Sequence, residues 1–294
     1  MAAMPGRSLL LVLLPAAAWG ANFVVVKIGS QFFSALGLTS LRFLLIGLAV
    51  FYFGWPKLAL RIVLLYALVS ALGQYTLSTL AIYLGLSAGL ASLVMQSQVF
   101  FGVLLAFFAL REVPRLGTIV GVLLGFGGLA VLTFSHGQAA SVPGIAVCLL
   151  AALAWACASL LLKRIGWSDV FPLQCAACLI AFPVVSALSL WLDPKPFDFA
   201  AIARQPFTAV GVVLYTTLVA LFAAQSLWGW LLLRFPMNLV TPFALLIPVF
   251  GLTFAWLALG ETLSPAAWLA VALVLTGLVV HFRTLFGPAE RARR

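Results

Sequence analysis

The polar side chains inside this chain's apolar runs are few, and their types and spacing decide what chemistry is open to it. The stretch "AWGANFVVVKIG", Ala18 to Gly29, carries Trp19, Asn22 and Lys27. A second stretch, "AWACASLLLKRIG" from Ala154 to Gly166, carries Trp155, Ser159 and Lys163, again with lysine eight residues after tryptophan. Ser70, Gln74 and Ser78 recur every four residues with Tyr75 beside them. Ser92 and Gln96 repeat that spacing, Gln98 follows, and Gln225 and Trp228 are three apart. Residues three or four apart share a helix face. Amides and aromatic rings so placed can hold a small zwitterion: the amides meet ammonium and carboxylate, and the rings meet an apolar side chain. The same residue types also glue helices together or sit at a membrane interface. The candidates for substrate contact are Trp19, Asn22, Gln74, Tyr75, Ser78, Gln96, Gln98, Trp155, Ser159, Gln225 and Trp228. On an ideal helix Gln96 and Gln98 are about 200° apart, so they do not both face one cavity squarely.

Covalent catalysis finds little support. The two histidines, His136 and His281, fall in a loop and near the end of a run, and no Asp or Glu lies mid-run. Glu112 and Glu261 stand at the starts of runs, where a carboxylate complements the helix dipole. Cys148, Cys157, Cys175 and Cys178 all lie in apolar sequence; Cys175 and Cys178 have CxxC spacing but no second pair of ligands, and read as core filler. No metal site or cofactor is expected, and no phosphate-binding loop or selectivity-filter-like loop occurs.

The elements that must position these residues are membrane helices. Of 294 residues, 65% are hydrophobic and 7% charged, against about 25% charged in soluble domains. The net charge of +10 lies at the ends of apolar runs rather than in a patch, so lipid and not nucleic acid is the implied partner. A crossing needs about 20 apolar residues. Ten runs qualify: 8–29, 36–54, 61–83, 87–110, 115–134, 143–163, 171–192, 209–233, 238–259 and 264–284. Residues 193–207 read as a proline-rich loop. The N-terminal run imitates a signal peptide, but its match to the run around Trp155 makes it part of the fold. Ten crossings put both termini on one side. Twelve lysines and arginines fall on that side and two, Lys195 and Arg204, on the other, so both termini are expected in the cytoplasm. Lys27 and Lys163 read as interfacial anchors. Arg42, a turn or two inside span 2, is expected to snorkel outward.

The chain also repeats itself. Besides the two Trp–Lys registers, "LREVPRLGTIVGVLLGFGG" (Leu110–Gly128) matches "LGETLSPAAWLAVALVLTG" (Leu259–Gly277), and "VFFG" (Val99–Gly102) matches "PVFG" (Pro248–Gly251), both at a shift of 149 residues. Two homologous units of five crossings, 1–135 and 136–294, must be inverted because five is odd. Inverted repeats are a common plan of secondary transporters, with substrate bound between them. Pro15, Pro183, Pro242 and Pro248 lie within runs, and Pro15, Pro242 and Pro248 are candidate hinges; a static kink is the alternative, and an equal one for Pro248.

"WGANFVVVKIG", "LRF" (Leu41–Phe43), "AGLASLVMQSQVFFGVLLAFFALRE" (Ala88–Glu112) and the Gly260–Glu261 helix start resemble the EamA-type family of the drug/metabolite transporter superfamily over nearly the whole chain. The similarity is strongest to bacterial amino-acid exporters, the O-acetylserine/cysteine branch with aromatic amino-acid exporters close by. It implies an all-α inner-membrane protein of ten transmembrane helices that exports amino acids or related metabolites. A drug exporter of the same superfamily is the alternative. The four-helix relatives, small multidrug exporters, carry a membrane-embedded glutamate in their first helix. Span 1 here has none, which argues against proton antiport of cations. Ten spans with inverted halves are expected to work as a monomer.

Overall fold

The apolar runs fold as helices in a computed structural model that describes residues 6–86, 88–135, 141–165, 169–260 and 264–285. His136, Glu261 and the three terminal arginines lie outside the described residues. Helix α1 spans Gly6–Gly29, α2 Ala35–Leu48 and α3 Val50–Phe53. Span 3 is built from α4 (Leu60–Tyr66), a π-helical segment (Ala67–Thr76) and α5 (Leu77–Tyr83). Span 4 consists of α6 (Ala88–Met95) and α7 (Ser97–Leu110); α8 (Leu116–Ser135), α9 (Val142–Leu162) and α10 (Val170–Leu192) follow. A short α11 (Phe199–Arg204) stands in the expected loop. Span 8 joins α12 (Pro206–Leu214), a second π-helical segment (Tyr215–Ala223) and α13 (Ala224–Arg234). Span 9 joins α14 (Met237–Val240), a 3₁₀ turn (Thr241–Leu245) and α15 (Leu246–Leu259), and α16 is Pro265–Leu285. Seven of these stretches are long and apolar enough to cross a membrane, and Ser97–Leu110, Leu116–Gly128 and Trp268–His281 are shorter apolar helices.

Side chains fix the ends. Ser34 caps α2 by accepting the Gly37 N–H at 2.9 Å, and Ser141 caps α9 through Gly144 with Pro143 in its first turn. Residues 193–207 depart from the expected loop because Asp198 accepts the Ala201 N–H and starts α11. That bond holds the exposed Asp198 carboxyl below the usual carboxylate range.

Irregularities fall at corresponding places. The π-helical segments occupy spans 3 and 8. Span 4 breaks at Gln96 and span 9 at Leu245, positions 149 residues apart. So do their C-terminal ends, Arg111 (φ 55°) and Gly260 (φ 65°), which both turn into the left-handed region with their N–H bonded to Ala106 and Ala255 respectively. Glycine takes this conformation without strain, whereas Arg111 has a Cβ to accommodate.

Helices pair antiparallel. In the α2–α10 pair, Ser40 and Ser186 hydroxyls meet at 2.7 Å and Gly47 lies on the backbone of Leu179. In the α8–α16 pair, Gly121 lies against Gly277 and Gly128 against Ala270, and the 149-residue shift converts one contact into the other. A Cβ on Gly121 would come 2.4 Å from the Gly277 carbonyl oxygen, so only glycine permits this approach. Large apolar side chains such as Phe51, Phe108, Trp191 and Trp256 point outward, as a lipid-facing surface requires.

Gly121→Leu is expected to force α8 and α16 apart and cost about 1–3 kcal/mol, read as a lowered melting temperature in detergent. Gly127→Ala is the control, because a Cβ there meets nothing.

Candidate functional site

Three tryptophans from three helices meet. Trp19 stands near the middle of α1, Trp155 near the middle of α9 and Trp228 on α13. The Trp19 ring lies 5.3 Å from Trp155 at 89° and 5.5 Å from Trp228 at 64°, both edge contacts that contribute about 0.5–1.5 kcal/mol each. Trp19 Nε1 donates to the Ala220 carbonyl at 2.9 Å, and Tyr215 Oη donates to the Ala18 carbonyl at 3.0 Å. Both partners on span 8 belong to its π-helical segment, where departure from α-helical bonding frees carbonyls for side chains. Trp228 Nε1 reaches Ser159 Oγ at 3.4 Å, whereas Trp155 Nε1 is buried with no partner.

A polar border adjoins the rings. Tyr75 Oη donates to Gln225 Oε1 at 3.4 Å, and Gln225 lies one turn from Trp228. Buried atoms without a hydrogen-bond partner include Asn22 Oδ1, Gln74 Oε1, Gln96 Oε1, both amide atoms of Gln98 and Gln225 Nε2. Such an atom costs about 1–3 kcal/mol when left dry. The break at Gln96, where Val99 N–H bonds the Gln96 carbonyl, removes the ideal helical phase on which the 200° separation of Gln96 and Gln98 rests; both are buried. Ser78 departs from the predicted stripe. The π-helical segment shifts the phase after Gln74, and the half-buried Ser78 donates to the Tyr75 carbonyl at 2.9 Å. Pro15 is buried within an unbroken α1; Pro242 lies in the 3₁₀ turn and Pro248 in the first turn of α15, where a missing N–H breaks no helical bond.

Sequence reasoning missed four more residues. Ser226 and Thr241 are buried with unpartnered hydroxyls, as is Thr217, and their only sequence signal is a polar residue interrupting an apolar run. Arg42 is the fourth. It does not snorkel: it is 8% exposed, with its guanidinium 5.7 Å from the centroid of the Tyr75 ring. Seven residues into α2, about 10 Å along the axis, it faces the bundle rather than lipid.

Hydrogen-bond networks lie at both ends of the bundle. At the arginine-rich end Lys163 is not an outward anchor: its ammonium donates to the Leu232 and Phe235 carbonyls at 2.9 and 2.7 Å and lies 3.7 Å from Glu112. Glu112 does cap a helix, but not α8. It accepts the Asn238 N–H at 3.1 Å and so caps α14. At the opposite end Asp193 accepts hydrogen bonds from Tyr83, Ser34 and Ser189. Phe33 there pairs with Phe197. Lys27 is exposed. Cys175 and Cys178 are buried and free.

Membrane-length apolar helices around a buried aromatic and amide centre define a multi-pass membrane protein. The EamA-like transporter family model matches residues 6–134 and 142–283, and the chain belongs to that family. It is 34% identical over 278 residues to a protein of Escherichia coli named "Probable amino-acid metabolite efflux pump", covering 92% of this chain and 93% of the relative, and equally so to its Salmonella typhimurium counterpart. A "S-adenosylmethionine/S-adenosylhomocysteine transporter" of Chlamydia muridarum is 25% identical over 93% of this chain and 92% of that one. A crystal structure 19% identical in sequence superposes with a TM-score of 0.78 over 92% of this chain and 94% of the other, a likeness of fold.

Glu112→Gln keeps an oxygen for the Asn238 N–H and loses the charge facing Lys163, whereas Glu112→Ala loses both. Melting temperatures are expected to fall in the order wild type, Gln, Ala, with Ala costing about 1–3 kcal/mol.

Proposed function

We propose that this chain exports amino acids and related small metabolites from the cytoplasm by alternating access, holding substrate in a central cavity between two inverted five-helix repeats. The repeats are 1–135 and 136–294, ten crossings in all, with both termini in the cytoplasm and the monomer as the working unit. The observation that carries this reading is the Trp19–Trp155–Trp228 cluster bordered by buried amides that lack partners. Trp19 and Trp155 come from opposite repeats, as a site between them requires. Rings of this kind suit an apolar side chain, and unsatisfied amide oxygens such as those of Asn22, Gln74 and Gln96 suit an ammonium group. The name carried by the 34% identical relatives supports the substrate class and the outward direction.

Matched breaks in spans 4 and 9 and matched π-helical segments in spans 3 and 8 support the repeat. Discontinuous helices at transporter midplanes let half-helices move as units around the substrate; Pro242 lies within the turn that would serve as one hinge and Pro248 just after it. Lys163 with Glu112, and Asp193 with its three donors, are placed to act as gates at the two ends.

The absence of any acidic residue within the spans leaves no carboxylate to carry a proton. Transport is therefore facilitated or weakly coupled, down the substrate gradient. In proteoliposomes, labelled amino acid should exchange against unlabelled amino acid, and net efflux should run without an imposed proton gradient. Trp155→Ala should lower exchange at least about tenfold. A requirement for a proton gradient would overturn the coupling assignment, and full activity in Trp155→Ala would overturn the site.

A further inference from the structure

Among the buried charged groups, Glu112 and Asp193 have hydrogen-bond donors within the chain, and Arg42 stands apart from them. The side chain is 8% exposed and its Nε has no hydrogen-bond partner. None of the described carboxylates lies within ion-pair distance of it, and all six acidic residues of the chain fall outside the apolar spans. Its guanidinium lies beside the face of Tyr75, with the Cys178 thiol also near. A guanidinium does not shed its proton in a protein, so the charge cannot be relieved by deprotonation. An isolated charge held in low dielectric is strongly unfavourable, and a fold that keeps one there needs a counter-ion from outside the chain.

We infer that Arg42 binds the carboxylate of the transported substrate, which makes a free α-carboxylate the obligatory feature of what this protein carries. The inference rests on the amino-acid reading above and assigns that site its charged pole. Its geometry is continuous with the aromatic cluster. Arg42 lies on Tyr75, Tyr75 bonds Gln225, and Gln225 stands one turn from Trp228, which touches Trp19. A guanidinium fork grips a carboxylate through two parallel hydrogen bonds. With the carboxylate on Arg42, the side chain extends toward the tryptophans and the ammonium finds unpartnered amide oxygens such as that of Gln74. The substrate charge would thus complete a site that the apo chain leaves unbalanced.

The test uses the purified full chain and matched probes: phenylalanine, its methyl ester and phenethylamine, with inorganic phosphate as a further anion. Each is scored by thermal shift and by competition against labelled substrate in proteoliposome exchange, in wild type, Arg42→Lys and Arg42→Gln. The wild type should prefer the free acid over the ester and the amine by about 10- to 100-fold. Arg42→Gln should lose that preference, and Arg42→Lys should keep part of it. Without ligand, Arg42→Gln should melt at the wild-type temperature or above, because an unbalanced buried charge has gone; an arginine held for structural reasons would give a lower value. Equal binding of acid and ester by the wild type, preferential binding of phosphate, or an undiminished preference for the acid in Arg42→Gln would each overturn the inference and leave the transporter reading standing. Absence of binding or exchange for every amino acid tried would overturn both.

Discussion

A bilayer offers no water to a buried polar group, and this constraint organises the whole molecule. Backbone groups are satisfied by helices. Lys163, Glu112 and Asp193 lie at helix ends and find partners within the chain. What remains inside after those demands are met is a set of side chains with no partner, drawn from spans in both halves of the sequence. Burying them costs free energy that apolar residues of the same volume would not. The proposed substrate site would give them partners.

Irregular helices make that centre. An unbroken α-helix spends its carbonyls on itself, so a side chain crossing from another helix finds little to bond. The π-helical segment of span 8 gives Trp19 the Ala220 carbonyl and sends Tyr215 back to Ala18, fixing α1 and span 8 to one another. The breaks at Gln96 and Leu245 interrupt spans 4 and 9 at corresponding points. Elsewhere, close glycine contacts hold α8 tightly against α16.

Much of this was legible in the sequence. Apolar runs gave helix positions to within a few residues, since length and hydropathy determine where a chain can cross lipid. Trp19, Trp155 and Trp228 were marked as candidates by register and spacing, and they meet. The misreadings share one cause, an assumption of ideal local geometry. Ser78 was placed on a face with Gln74 by fourfold spacing, which a π-helical segment does not preserve. Arg42 and Lys163 were assigned to the interface from distance along a helix, but the facing direction depends on tertiary contacts absent from a single span's pattern. Glu112 was rightly read as a cap and wrongly matched to its neighbour in sequence, because helix ends from different spans meet at the membrane surface.

A substrate site at the buried polar set must face a route open to water. The direct measurement places a single cysteine at Ser70 or at Ser226, with the four native cysteines replaced, and follows its reaction with a small charged thiol reagent. Labelling is expected at both positions in membranes, with protection from it by saturating amino acid. Cysteines that stay unreactive, or react at the same rate with and without every amino acid tried, would contradict it.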